Sequence, residues 1–189
     1  GTATLLADGT VNFNPSPNFN GTLSFGYMVS DGAASSSAVA VVVVNPVNDA
    51  PTALNDATGT AEDQPVSLNV RLNDSDPDGD ALSVTHVGST PVSVGSPASL
   101  ANGTVSIDAS GLLTYTPDSN FNGSETFDYT ISDGNGGFDT ASVTGTVTPT
   151  NDAPIAVADP FTVPEDGSTS INVLGNDSDP DGDTLTITY

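Results

Sequence analysis

The residues with the clearest capacity for chemistry are eight aspartates in two short runs. Ser-Asp-Pro-Asp-Gly-Asp occurs at Ser75–Asp80 and again at Ser178–Asp183, each time directly after an Asn-Asp pair, Asn73-Asp74 and Asn176-Asp177. Each run sets four carboxylates at every second position, Asp74, Asp76, Asp78 and Asp80 or Asp177, Asp179, Asp181 and Asp183, with Gly79 or Gly182 free to turn the backbone sharply. Two carboxylates about 4 Å apart repel by ~1 kcal/mol in bulk water and by ~4 kcal/mol at an effective dielectric of about 20. Four of them on one turn call for solvent, a partner or a cation. Hard oxygen donors on a flexible loop suit Ca2+, which accepts roughly six to eight oxygens with loose geometry. An EF-hand begins in the same way, but the bidentate Glu it requires at the twelfth position is Thr85 in the first run and Thr188 in the second. The EF-hand reading fails on that residue.

Composition narrows the setting. Arg71 is the one basic residue against 24 acids, and the formal charge is −23, so the chain has no electrostatic footprint for nucleic acid or an anionic membrane surface. It has no cysteine, which excludes disulfides and thiolate metal sites and leaves hard divalent cations as the available staple. The longest apolar run, Ala38–Val44, is far short of the roughly 20 residues of a membrane-spanning helix and is rich in β-branched valine, as a buried strand is. A hydrophobic content of 35% supports a packed core despite the charge. The chain begins without Met and is expected to be a segment whose targeting signals lie elsewhere.

Internal repetition sets the organisation. Asn-Asp-Ala-Pro at Asn48–Pro51 returns at Asn151–Pro154, and Glu62-Asp63 returns as Glu165-Asp166, both after 103 residues. Asn-Phe-Asn-Gly at Asn18–Gly21 and Ser-Asp-Gly at Ser30–Gly32 return at Asn120–Gly123 and Ser132–Gly134, both after 102. The expected domains are the C-terminal half of one repeat (1–47), a complete repeat (48–150) and the N-terminal part of a third (151–189). Units of this length are domain-sized, so each should own its core.

Alternation with period two dominates the complete repeat: Phe127, Tyr129 and Ile131 point one way and Asp128, Thr130 and Ser132 the other. Phe25, Tyr27 and Val29 are the counterpart in the first repeat. Similar stretches at Val66–Leu72, Leu82–Val87, Leu112–Thr116 and Ala141–Val147 are separated by Gly, Asn, Asp and Pro clusters, and nothing reads as a helix. The fold class expected is all-β, a tandem of immunoglobulin/cadherin-like antiparallel β-sandwiches. If Thr52–Ala61 runs down such a sandwich and Val66–Leu72 runs back, Glu62-Asp63 lies at the bottom with the loop Asp118–Gly123 and the linker Asn151-Asp152. The Asp74–Asp80 loop lies at the top with the turn Asp133–Asp139 and the linker Asn48-Asp49. Each junction would gather acids from three directions.

On the Asn-Asp-Ala-Pro linker, Glu62 after the first strand, the Asp74-x-Asp76 pair after the second and the Asp133 turn before the last, in that order, the chain resembles the cadherin family. It resembles more closely still the bacterial cadherin-like tandem repeats of large secreted adhesins of the RTX type. The resemblance implies Ca2+ at the domain junctions, with Asn48, Asp49, Asp74, Asp76 and Asp133 serving one and Glu62, Asn151, Asp152, Asp177 and Asp179 the next. Asp63, Asp78, Asp80, Asp139, Asp181 and Asp183 complete the candidate ligands. It also implies type I export and a secreted or bacterial cell-surface location. Two departures stand out: the Asp-Arg-Glu-type motif of cadherins is missing, with Asp118 nearby, and Asp31–Ser37 lacks a counterpart of Asp139.

His86, the one histidine, has no His, Cys or Ser partner that would make a catalytic or zinc constellation and reads as structural. No enzyme is expected. Two functions remain open: a Ca2+-rigidified spacer in an adhesin or surface filament, or a module that itself binds a glycan or a cell-surface protein. The partners expected are neighbouring repeats of the same polypeptide. The half-repeats would be completed either by flanking sequence or by head-to-tail copies of the chain, since open strand edges invite pairing.

Overall fold

The computed structural model describes residues 1–188. They form strands and turns, with a single short 3-10 turn at Val70–Leu72, and no helix among them is long and apolar enough to cross a membrane. The chain parts into two compact units.

The first unit comprises Gly1–Leu54, Arg71–Val84 and Thr130–Thr140. It holds two antiparallel hairpins, β1 (Thr2–Leu5) with β2 (Val11–Asn14), and β3 (Gly21–Ser30) with β4 (Ser35–Val44). Short acids close both turns. Asp8 Oδ1 accepts the Thr10 amide and hydroxyl at 3.0 and 2.7 Å, and Asp31 Oδ1 accepts the Ala33 and Ala34 amides at 2.9 and 2.7 Å. Phe13 of β2 stacks on Phe25 of β3, ring centres 6.5 Å apart.

The second unit comprises Asn55–Val70, Thr85–Tyr129 and Ala141 onward. The strands of the complete repeat are β5 (Asp56–Ala61), β6 (Val66–Leu68), β7 (Ser83–Val87), β8 (Thr90–Pro91), β9 (Ala98–Ser99), β10 (Gly103–Ile107), β11 (Leu113–Pro117), β12 (Gly123–Ser132) and β13 (Phe138–Thr148). They make a four-stranded sheet in the order β6-β11-β10-β9 and a five-stranded sheet in the order β5-β13-β12-β7-β8. Tyr115 of β11 and Phe127 of β12 meet between the sheets, ring centres 6.4 Å apart. Val105, Leu113, Tyr129, Ile131 and Val143 are fully buried. Alternation along β12 thus buries Phe127, Tyr129 and Ile131, each worth roughly 1.5–3 kcal/mol. One pair departs from the antiparallel rule: β13 and β5 run parallel, Val143 opposite Asp56 through Thr148 opposite Ala61.

The first repeat copies the complete one. Strands β1, β2, β3 and β4 match β10, β11, β12 and β13, and the Phe13–Phe25 stack matches Tyr115–Phe127. Asn18 and Asn120 both take positive φ, 58° and 60°, as do Asp63 and Asp166, at 58° and 60°. Left-handed backbone favours Asn and Asp after Gly, so identical residues mark identical turns.

Three expected strands are shorter than the residue pattern implies. Val66–Leu72 leaves the sheet after Leu68, because the following turn brings Val70 beneath Tyr129, whose hydroxyl donates to the Val70 carbonyl at 3.4 Å. Thr52–Ala61 is regular strand from Asp56 onward. Before it, Thr52 makes an isolated bridge to Ser75, and the Ala53 and Leu54 amides donate to carboxylates instead of a neighbouring strand. In the third segment, the described residues make one bridge, Ile155 with Ser178, and no strand. Among the described residues no strand lies beside the stretch equivalent to β5 to accept its backbone hydrogen bonds as β13 does for β5, and a strand is defined by such pairing.

Candidate metal centre

Both aspartate runs fold into the same loop. In the first, Asp76 Oδ1 accepts the amides of Asp78 and Asp80 at 2.8 and 3.2 Å, an Asx-type turn closed at Gly79, whose φ is 82°. In the second, Asp179 Oδ1 accepts the amides of Asp181 and Asp183 at 3.0 and 3.2 Å, with Gly182 at 78°. The linker meets each loop identically: the Asp49 amide donates to Asp78 Oδ2 and the Asp152 amide to Asp181 Oδ2, both at 2.7 Å. The first member of each run faces the entering chain, the Leu54 amide donating to Asp74 Oδ1 at 2.8 Å and the Val157 amide to Asp177 Oδ1 at 2.7 Å. These four contacts are the same in both copies, and the turn itself is encoded within the run.

In the first unit, carboxylate oxygens of Asp76, Asp78 and Asp80 lie within 4.8 Å of one another. Because Asp76 Oδ1 is spent on the turn, Oδ2 is left over, and it is buried without a hydrogen-bond partner. The Asp133 turn flanks the cluster. Asn135 Nδ2 donates to Asp80 Oδ2 and Asn48 Nδ2 to Asp133 Oδ2, both at 2.7 Å. Asp133 is itself buried, and the Asn48 amide, ahead of the turn's own backbone amides, holds its carboxyl below the usual value.

In the second unit, carboxylate oxygens of Glu62, Asp152 and Asp181 lie within 4.8 Å of one another. Glu62, at the end of β5, is 2% exposed and accepts the Thr150 amide through Oε1 and Asn122 Nδ2 through Oε2. Asp152 Oδ2 is buried without a partner, as Asp76 Oδ2 is. Burial pushes the Asp152 carboxyl up, and the charges of Asp63, Asp181, Glu62 and Asp179 push it further. A buried, partnerless carboxylate oxygen among like charges costs free energy that hydrogen bonding does not recover. A hard cation is the species that would relieve both clusters, and an all-oxygen donor set is the one Ca2+ takes.

The remaining expected ligands have other partners. Asp139 Oδ2 accepts the Ala53 amide at 2.8 Å and ties β13 to the entering chain. Asp63 Oδ1 accepts the Asn120 amide at 3.1 Å. Asn151 does not reproduce the role of Asn48; its side chain donates to the Asp152 carbonyl at 2.8 Å. Three polar residues escaped the sequence reading. Asn135 and Asn122 tether cluster carboxylates, and both sit in segments that repeat motifs or turns already singled out. Glu125 is buried and accepts Asn102 Nδ2 at 2.7 Å. Its phase with Phe127, Tyr129 and Ile131 was the available signal.

Fold and site together define an immunoglobulin-like β-sandwich whose acids collect at loops. The description "Bacterial Ig domain" matches the chain over residues 1–44, 48–146 and 151–189, and the chain belongs to that family. No curated protein matches it. Among solved structures it is similar to mouse clustered PcdhgC3 EC1-3, at 17% identity over 78% of this chain and 51% of that one, with a TM-score of 0.44. It is also similar to an endo-fucoidan hydrolase of glycoside hydrolase family 107, at 23% identity over 79% and 22%, TM-score 0.37. A third is a nucleoside hydrolase-related protein from Saccharophagus degradans associated with carbohydrate metabolism, at 21% identity over 55% and 26%, TM-score 0.38. The chain spans between about a fifth and a half of these proteins' lengths.

Proposed function

We propose that the chain is a run of Ca2+-binding spacer repeats in a secreted or surface-displayed bacterial protein of the adhesin type, non-enzymatic, with the cation stiffening the joints between repeats. One observation carries this reading. Each aspartate loop contributes to a three-carboxylate cluster, and each cluster holds a buried carboxylate oxygen with no hydrogen-bond partner, Asp76 Oδ2 in one and Asp152 Oδ2 in the other. Acids from Asp76, Asp78 and Asp80, and from Glu62, Asp152 and Asp181, would supply the oxygens. Asn135, Asn122 and the linker amides hold those acids in place. Bound Ca2+ supplies two positive charges where the chain concentrates negative ones, and so joins linker and loop by attraction where they otherwise repel.

Calorimetric titration of Ca2+ into the chain tests the reading. Saturable binding in the range of roughly 10⁻⁴–10⁻³ M typical of extracellular modules is expected, with Asp76→Ala and Asp152→Ala each removing a separate class of sites. Absence of binding heat, or heat unchanged in both variants, overturns it.

A further inference from the structure

We infer that Asn135 is a self-modifying residue: the Gly136 backbone nitrogen attacks its side-chain amide, and hydrolysis of the resulting succinimide leaves a carboxylate where the amide now holds Asp80. Water is the one co-reactant. A bond forms between Gly136 N and Asn135 Cγ, the Cγ–Nδ2 bond breaks, and ammonia departs with the proton that the Gly136 amide gives up. Water then opens the ring. Opening at Cγ gives aspartate, and opening at the Asn135 backbone carbonyl carbon gives isoaspartate, in which the chain runs through the side chain.

The attack requires a following residue whose nitrogen is not crowded by a Cβ and a backbone free to swing toward the side chain. Asn-Gly satisfies the first condition, and the chain has four such pairs, at Asn20, Asn102, Asn122 and Asn135. The fold separates them on the second. The Asn102 carbonyl accepts the Asp118 amide at 3.1 Å and the Tyr115 hydroxyl at 2.9 Å, and its Nδ2 donates to the buried Glu125 at 2.7 Å. Gly103 is itself buried, with the Thr116 carbonyl oxygen 2.4 Å from where a Cβ would stand. Asn122 donates to the buried Glu62, and Gly123 opens the ten-residue strand β12. Gly21 likewise opens the ten-residue strand β3, in register with Val44.

Asn135-Gly136 lies outside every strand, in the turn between β12, which ends at Ser132, and β13, which begins at Phe138. Gly134, Asn135 and Gly136 are all exposed, and nothing stands within 4 Å of where a Gly136 Cβ would be. Asp133 anchors the turn through the Asn135 amide at 2.8 Å and the Gly137 amide at 2.9 Å. Of the three turn amides facing that carboxylate, the Gly136 amide, which carries the attacking nitrogen, binds it least. The bond from Asn135 Nδ2 to Asp80 Oδ2 is at the surface, where water replaces it at little cost. Conversion removes this donor and sets a new negative charge beside Asp80, whose carboxylate already lies within 4.8 Å of those of Asp76 and Asp78. That consequence holds whether or not the cluster takes a cation.

Mass-spectrometric peptide mapping of the full chain, aged at mildly alkaline pH in buffer and in urea, tests this. In buffer, Asn135 is expected to convert to aspartate and isoaspartate at least about fivefold faster than Asn20, Asn102 or Asn122. In urea the four rates should converge to within about threefold, because the folded turn no longer sets Asn135 apart. Conversion of Asn135 no faster than that of the other three in buffer overturns the inference. So does the same ranking in urea, which would assign the preference to local sequence alone. Asn135→Asp should lower the melting temperature in chelator by about 1–4 °C, and the aged wild-type chain should shift the same way. A variant that melts at or above the wild type would show that the amide does not hold Asp80, and would overturn the stated consequence.

Discussion

Asp152 shows how one residue is shaped by its neighbours in the proposed cation site. Burial and four neighbouring acids raise its carboxyl above the ordinary 3.8, so without a cation the folded chain holds that proton more tightly than the unfolded chain does. The sign follows directly: its contribution to stability is most favourable below 3.8 and is lost as pH rises through the raised folded value. Asp133 runs the other way, contributing above 3.8 and losing that contribution as pH falls through its lowered folded value. Asp152→Asn should therefore raise the melting temperature in chelator at neutral pH and weaken Ca2+ binding by at least about tenfold, since affinity follows the number of charged ligands. Paired melting curves with and without Ca2+ check this. A variant that melts lower in chelator would show that the carboxylate is a stabilising group in its own right.

Among the elements, the loops divide their acids between holding the chain and facing the cluster. Asp139 accepts the Ala53 amide and Asp74 the Leu54 amide, whereas Asp76 keeps a free oxygen. Asp139→Ala should cost about 1–2 kcal/mol in chelator and in Ca2+ alike, because a hydrogen bond to a charged group is lost in both. Asp76→Ala should cost stability in chelator too, because it removes the two turn hydrogen bonds, and should cost more when Ca2+ is present, so the difference between the two conditions in chemical denaturation separates the classes. The β10–β11 hairpin depends on Gly103, whose φ is 150°. A Cβ there would meet the Thr116 carbonyl oxygen at 2.4 Å and Tyr115 Cε2 at 2.8 Å. Gly103→Ala is expected to destabilise by roughly 2–4 kcal/mol, since neither the carbonyl nor a fully buried ring can yield without strain, and a loss under ~1 kcal/mol in urea titration would contradict this. A Cβ on Gly1, next to β1, would likewise lie 2.5 Å from the Asn14 carbonyl oxygen, so the close approach is a property of the repeat.

For the whole molecule, a charge of −23 relieved by one basic residue, with the proposed cation sites, would make stability conditional on cations. At about 100 times the dissociation constant, each bound ion adds ~2.7 kcal/mol, or roughly 5–10 °C in melting temperature for a chain of this size. Excess chelator should lower the melting temperature by at least that amount. Mg2+ should restore less of it than Ca2+, because the smaller ion demands near-octahedral geometry and gives up its water reluctantly. Equal rescue by both would indicate general screening of charge without a built site.

Much of this was legible in the residues themselves. Period-two alternation of Phe127, Tyr129 and Ile131 specifies a strand with one buried face, because a strand side chain can point only to one side or the other. Duplicated loops with aspartates at alternate positions specify their own turn, because the second Asp of each run, Asp76 or Asp179, reaches the amides two and four residues on. The sequence also brings the right segments toward each end of the sandwich, since strand direction alternates. Its limits lie where an interaction depends on residues far apart. The choice of Glu62, Asp152 and Asp181 as one cluster, with Asp63 beside it holding the Asn120 amide and Asn151 bonded to the Asp152 carbonyl, joins positions separated by 90 and 29 residues and depends on the approach of linker and loop. The parallel pairing of β5 with β13, and the shift of Val66–Leu72 from strand to turn after Leu68, likewise have no local signature. Local rules determine which conformation each segment prefers; only the packed sheets decide which of the carboxylates is left buried without a partner.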